Sequence, residues 1–169
     1  QYHNMQINLK IALNSAYGAL GNQWFRYYDV RNAEAVSVAG QLSIRWAERA
    51  VNQYLNKVLE TEDKDYVLAS DTDSLYVTME AMVEKVGLTD TDKVIKFLDT
   101  VCDGKIQKVI DDCYGELAEY INAFQQKMVM KREVLADVGI WTGKKHYILN
   151  VHNSEGVQYE EPKLKIMGI

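Results

Sequence analysis

Apolar and polar positions alternate along the chain with two different periods. Over residues 4 to 17 the step is helical. At about 100° per residue, Met5, Leu9, Ala12, Leu13, Ala16 and Leu20 fall in one arc of roughly 100°, and His3, Gln6, Lys10, Asn14 and Tyr17 fall in an opposite arc of roughly 80°. Gly18 and Gly21 supply a helix end. The run Trp24-Phe25-Arg26-Tyr27-Tyr28-Asp29 then places four aromatics around one arginine, a composition that more often anchors a connection to a core than stacks on bases. From Asn32 to about Val58 the helical period returns through Val36, Gly40, Ile44, Ala47, Val51, Leu55 and Val58, with Asn32 as the N-cap. An acidic linker, Glu60 to Asp65, leads into two strand-like runs around Asp71-Thr72-Asp73-Ser74.

Residues 80 to 126 predict helices that break near Gly87 to Thr91 and again near Gly104. The period of two reappears in 129–135, 147–151 and 157–160. A loop containing Gly139 and Gly143 separates the first two of these strands, and an Asn153-Ser154-Glu155-Gly156 hairpin turn separates the last two. The elements predict an α+β fold, an antiparallel sheet packed on helices.

With 169 residues, 47% of them apolar and 25% charged, the chain can build one domain with a core. It has no apolar run of about 20 residues to span a bilayer and no signal-peptide order at its start, so we expect a soluble protein with no membrane partner. Cys102 and Cys113 show no zinc spacing and read as free thiols of a reducing compartment. The chain starts at Gln1 and its first methionine is Met5, which suggests a piece of something longer. The net charge of −5 hides an asymmetry: residues 1–59 carry +3, residues 60–119 carry −10 and residues 120–169 carry +2. Both ends could therefore face a polyanion while the middle faces water.

Three stretches carry candidate chemistry, each with a plain alternative. Asp71 and Asp73 at a turn between strands suit a cation of the Mg²⁺ kind, although Asp-Thr-Asp-Ser is also ordinary turn chemistry. Lys10, Asn14 and Tyr17 on one helix face could contact phosphate, base and sugar, or could form a solvated face. Lys144-Lys145-His146-Tyr147 is the densest positive spot and could hold a nucleic-acid backbone, although lysines also guard exposed sheet edges. Together they suit metal-dependent phosphoryl or nucleotidyl transfer to a nucleic-acid end. Two metal ions would need a further carboxylate.

The same residues resemble the motifs of family B DNA polymerases. Lys10-Ile11-Ala12-Leu13-Asn14-Ser15-Ala16-Tyr17-Gly18 is similar to the K-x-x-x-N-S-x-Y-G of their last fingers helix. Asp71-Thr72-Asp73-Ser74 is similar to the D-T-D-S of their palm, and Lys144-Lys145-His146-Tyr147 to their K-K-x-Y. The flanks Phe25 to Asp29, Arg31 to Ala33 and Leu164 to Gly168 most resemble the T-even-type phage replicative members. The resemblance implies template-directed DNA synthesis and a fingers helix in 1–22, with the C-terminal part of the palm in 23–169. It implies that Asp73 ligates both Mg²⁺ ions with Asp71 in support, and that Lys10, Asn14 and Tyr17 bind the incoming dNTP. Lys144, Lys145 and Tyr147 would hold the primer-template DNA, and Glu133 would lie near the metal site. Ser70 and His146 depart from the usual glycine and arginine.

The same resemblance implies partners: the rest of palm and fingers, the exonuclease and the thumb, and a sliding clamp engaged beyond Ile169. It places the protein in the cytoplasm of a bacterial host if it is of phage origin. Upstream of Gln1 it would put the second metal-binding aspartate, so the fragment alone is expected to be inactive. The competing reading is a non-catalytic nucleic-acid-binding or assembly fragment of a split polymerase. A small self-contained phosphotransferase would need a complete carboxylate set, which the sequence does not offer.

Overall fold

The computed structural model describes residues 2–168. They divide into two compact units, one up to Leu42 and one from Ser43 onward.

The first unit contains α1 (Tyr2–Leu20) and the start of α2 (Val30–Leu59). Helix α1 runs straight through Gly18, and the turn after it is closed by Gly21 N donating to Gly18 O. Its apolar arc is not buried: Met5, Leu9 and Leu13 are all exposed. The aromatic run after α1 is exposed too, with Trp24 at 87% and Tyr27 at 66%, which corrects the expectation that it anchors a core. The Phe25 and Tyr27 rings meet edge to face, and Arg26 lies over the Tyr27 ring.

In the second unit the three- and four-residue period of α2 meets its partners. Ile44, Ala47, Val51 and Leu55 are buried, whereas Val36 and Val58 of the same stripe are exposed. Asn52 and Asn56 fix the acidic linker to α2. Asn52 Oδ1 accepts from Tyr66 N at 2.8 Å, and Asn56 Nδ2 donates to Lys64 O at 2.7 Å. Tyr66, fully buried, opens the hairpin of β1 (Val67–Asp71) and β2 (Ser74–Val77).

Helix α3 (Glu80–Val86) ends at Gly87, whose left-handed φ of 73° suits glycine. Asp90 then caps α4 (Thr91–Val101) by accepting from Lys93 N. The break expected near Gly104 does not occur. A π-helical turn, Cys102–Ile106, carries the chain directly into α5 (Gln107–Tyr120). Burial of Ile95 on one side and of Ile110, Cys113, Tyr114 and Leu117 on the other repays the modest cost of one glycine in a helix.

The last strands form an antiparallel sheet ordered β3-β4-β5, namely Val134–Gly143, His146–Ser154 and Val157–Met167. The predicted first strand is displaced: residues 129–133 are not in a strand, and the stretch expected as a loop with Gly139 and Gly143 is most of β3. Gly139 is needed there because a Cβ would stand 2.6 Å from the indole of Trp141 and 2.9 Å from Leu149. The Glu155-Gly156 turn has positive φ at both residues, 50° and 85°, the requirement of a type I′ hairpin. Strand β5 tolerates Pro162 because the register shifts between Val151↔Lys163 and Asn153↔Gln158, so the proline lies at an irregularity rather than in the ladder. The fold is α+β with antiparallel pairing, as expected. It carries two separate sheets, of two and three strands, in place of one.

Candidate nucleic-acid and metal site

The hairpin between β1 and β2 pairs Asp71 with Ser74 and leaves Thr72 and Asp73 as its two loop residues. Thr72 takes φ 55°, a conformation that costs a β-branched residue about 1–3 kcal/mol. Local bonds hold it there: Asp73 N donates to Asp71 O at 2.6 Å, Ser74 Oγ donates to the same carbonyl at 3.1 Å, and Thr72 Oγ1 donates to Asp71 Oδ1 at 3.0 Å. The tight turn leaves the Asp73 side chain exposed and Asp71 half-buried at the strand end.

Lys144 and Lys145 form the two-residue loop of the β3–β4 hairpin, closed by the Gly143↔His146 pair. Lys145 takes φ 64°, and its Nζ lies 3.6 Å from Asp71 Oδ1. Between the two turns stands Tyr76, edge-on to Trp141 at 5.3 Å and to Tyr147 at 5.4 Å between ring centroids. Burial pushes the Tyr76 phenol up to about 12, with Tyr147 and the charge of Asp71 adding to the rise and Ser74 opposing it. The phenol is therefore neutral at any ordinary pH. Asp71, Asp73, Tyr76, Lys145 and Tyr147 line an open recess of about 300 Å³. A smaller one of about 100 Å³ reaches past Tyr76 to Ser70, Trp141 and Lys144.

Asp71, Asp73, Lys144, Lys145 and Tyr147 are thus brought together within the second unit. Glu133 is held by other contacts. It precedes β3, at the end of the β3–β4 hairpin opposite Lys144 and Lys145; its carbonyl accepts from Glu155 N, and its carboxylate pairs with Lys165 at 3.3 Å. Lys10, Asn14 and Tyr17 belong to the first unit, all exposed on α1. The Tyr17 hydroxyl is 2.6 Å from Ser37 Oγ, and Ser37 Oγ in turn donates to Ala33 O at 3.2 Å. These bonds fix the outer end of the Tyr17 ring.

The donor set fits a hard divalent cation in part. Two carboxylates on a rigid turn offer oxygen ligands of the type Mg²⁺ takes. Oδ1 of Asp71 already faces a lysine and a hydroxyl, so Asp73 is the better placed ligand. Among the described residues no three His, Cys, Asp or Glu side chains gather into a set that could hold a metal ion.

Sequence reading missed Tyr76 and Trp141. Tyr76 was within reach, because a strand residue two places after Ser74 shares its face. Trp141 was hidden by the assignment of its segment to a loop.

The model of the family described as DNA polymerase family B matches residues 1–165. The chain is 48% identical over 175 aligned positions to the DNA-directed DNA polymerase of Escherichia phage RB69, covering 97% of this chain and 19% of that protein. It is 43% identical over 175 positions to the DNA-directed DNA polymerase of Enterobacteria phage T4, covering 97% and 20%. The chain thus spans about a fifth of the length of these relatives.

Proposed function

The chain belongs to DNA polymerase family B, and from that premise we propose that it supplies part of the active centre for template-directed DNA synthesis. The reaction is nucleotidyl transfer from a dNTP to a primer 3′ hydroxyl. The observation that carries the proposal is the Asp71–Ser74 turn held beside the Lys144–Tyr147 hairpin, with Lys145 3.6 Å from Asp71. An anionic cation site beside a cationic strand turn is what transfer at the end of a polyanion needs.

In this reading Asp73 is the principal carboxylate toward two Mg²⁺ ions, and Asp71 supports it while facing Lys145. Bound there, the metal would lower the pKa of the attacking hydroxyl and neutralise charge on the transferring phosphate. Lys144 and Lys145 draw the primer-template backbone to the recess by charge, and the Tyr147 ring gives its end a face to rest on. On α1, Lys10 would meet the triphosphate of the dNTP. Asn14 and Tyr17 follow at four- and three-residue steps on the same face, with the Tyr17 ring steadied through Ser37. The remaining carboxylate, the exonuclease, the thumb and any clamp contact would come from other parts of a longer polymerase.

The test is a graft of this chain into the phage RB69 relative in place of the segment it matches. Magnesium-dependent primer extension that Asp73→Ala reduces to background is the expected result. Extension indifferent to Asp73→Ala overturns the assignment. The chain by itself is expected not to extend primers, and robust extension by it alone would overturn its dependence on the rest of the enzyme.

A further inference from the structure

No backbone ladder joins the β1–β2 hairpin to the β3–β4–β5 sheet, yet the carboxylate turn of the first and the lysine turn of the second face one another. The Lys145–Asp71 pair cannot fix that alignment. Its lysine side chain is 62% exposed and the separation is 3.6 Å, and such surface pairs hold their partners loosely. The aromatic contacts beneath it are better suited. Trp141 and Tyr147 are direct cross-strand partners, and Tyr76 meets both of them edge-on, the arrangement aromatic rings prefer. Tyr76 lies on β2, two residues after Ser74, the residue that closes the carboxylate turn. Gly139 makes room for the Trp141 side of this wedge, since any Cβ there would run into the indole. Tyr76 therefore belongs to the hairpin that carries Asp73 and packs on the strand pair whose turn carries Lys145.

We propose that Tyr76 is a positioning residue for the primer end, locking the Asp71–Ser74 turn to the Lys144–Tyr147 hairpin through its ring contacts with Trp141 and Tyr147. The proposal rests on the polymerase reading of the chain. It adds that the grip on primer-template depends on the side chain that holds the two turns in line, and not on their charges alone.

The experiment uses the same graft in the phage RB69 relative with Tyr76→Phe, Tyr76→Leu, Lys145→Ala and the Tyr76→Leu/Lys145→Ala pair. Primer-template affinity is read by fluorescence anisotropy without nucleotide, dNTP KM by primer extension, and folding by thermal unfolding. Tyr76→Leu is expected to weaken primer-template binding about tenfold and Tyr76→Phe by less than about twofold, since the latter keeps both ring contacts. The dNTP KM should stay within about twofold, because α1 is untouched. Lys145→Ala should cost less in the Tyr76→Leu background than alone, as expected of groups that act together. Additive losses, unchanged binding in Tyr76→Leu, a loss in Tyr76→Phe as large as in Tyr76→Leu, or a dNTP KM that rises as far as the primer-template Kd would each overturn the proposal. If Tyr76→Leu unfolds, Trp141→Leu, which removes one of the two ring contacts, decides in its place, and a binding constant equal to the parent's overturns it. Because binding is measured without catalysis, it judges Tyr76 even where no extension occurs; a parent graft that binds DNA but never extends primers counts against the functional reading only.

Discussion

Lys145 Nζ sits 3.6 Å from Asp71 Oδ1, so the most positive turn of the chain is neutralised at one point by the most chemically suggestive one. The pair is exposed on its lysine side, and its contribution to stability is at most about 1 kcal/mol. Lys145→Ala should leave urea unfolding of the chain almost unchanged. In the grafted polymerase the same variant should weaken DNA binding uniformly across sequences and lower the slope of log K against log salt by about one. A loss confined to one sequence would contradict a backbone contact.

Asp73 behaves differently, because its side chain is exposed and, among the described residues, no hydrogen bond or ion pair is built on its carboxylate. Asp73→Asn should shift stability by no more than about 0.5 kcal/mol. It should nonetheless abolish the enhancement of Mn²⁺ relaxation expected when a cation binds the turn, and Asp71→Asn should weaken that signal without erasing it. Equal loss in the two variants would make Asp71 a full ligand.

The turn was legible in the sequence because its chemistry is local. Asp71 to Ser74 is specified by four adjacent residues between two apolar runs, and Glu155-Gly156 by a positive-φ requirement that glycine meets. The C-terminal half of α2 was legible for the same reason: its stripe from Ile44 to Leu55 has a partner. The stripe of α1 has the same period but stays exposed, since periodicity reports which face could be buried and not whether anything covers it. Trp24 to Tyr28 failed in the same way. Gly104 and Gly139 misled because a glycine marks a break only when its neighbours offer nothing better; the packing of Ile95 and Ile110 and of Trp141 over Gly139 overrode it. Tyr76 was overlooked because its role depends on Trp141 and Tyr147, 65 and more residues away, and no short-range pattern encodes that meeting.

Gly139 permits a direct check of the aromatic wedge. A methyl group at this position would come within 2.6 Å of Trp141 Cη2 and 2.9 Å of Leu149 Cδ2, so one of them has to move. Gly139→Ala is expected to cost about 1–3 kcal/mol in urea unfolding and to shift the Trp141 fluorescence as the indole leaves its place beside Tyr76. Unchanged stability and emission would mean that β3 relaxes around the methyl group.

Arg132 ties the helices to the sheet. Its guanidinium bonds Asp99 on α4 and lies 3.5 Å from Asp103 in the π-helical turn, and it donates to Asn153 Oδ1 at 2.9 Å. The Arg132 side chain is only 11% exposed and Asn153 is buried. Arg132→Ala would leave Asp99 and Asn153 facing an empty space, at a cost of about 3 kcal/mol. Arg132→Lys should recover little, because one ammonium cannot reproduce a planar fork aimed at three oxygens. Full recovery by lysine would reduce the network to simple charge.

Asp137 gives the fold an acid-sensitive point. It is the extra residue of β3 where the register slips between Ala136 and Val138. Burial pushes its carboxyl up, but the hydrogen bond from Asn150 Nδ2 at 2.9 Å and the imidazole of His152, with Nε2 at 3.2 Å, outweigh burial and leave the pKa below the usual carboxylate range. A depressed folded-state pKa means that the unfolded chain takes up the proton first. The stabilisation is therefore complete above an unfolded-state value of about 4 and is lost as pH falls from there through the folded value. Asp137→Asn should flatten stability against pH below about 4 while leaving the acid limb due to other carboxylates in place. Urea unfolding midpoints of the two proteins, measured from pH 6 downward, should converge as the medium becomes acid. Curves that stay parallel would show that Asp137 contributes nothing linked to its proton.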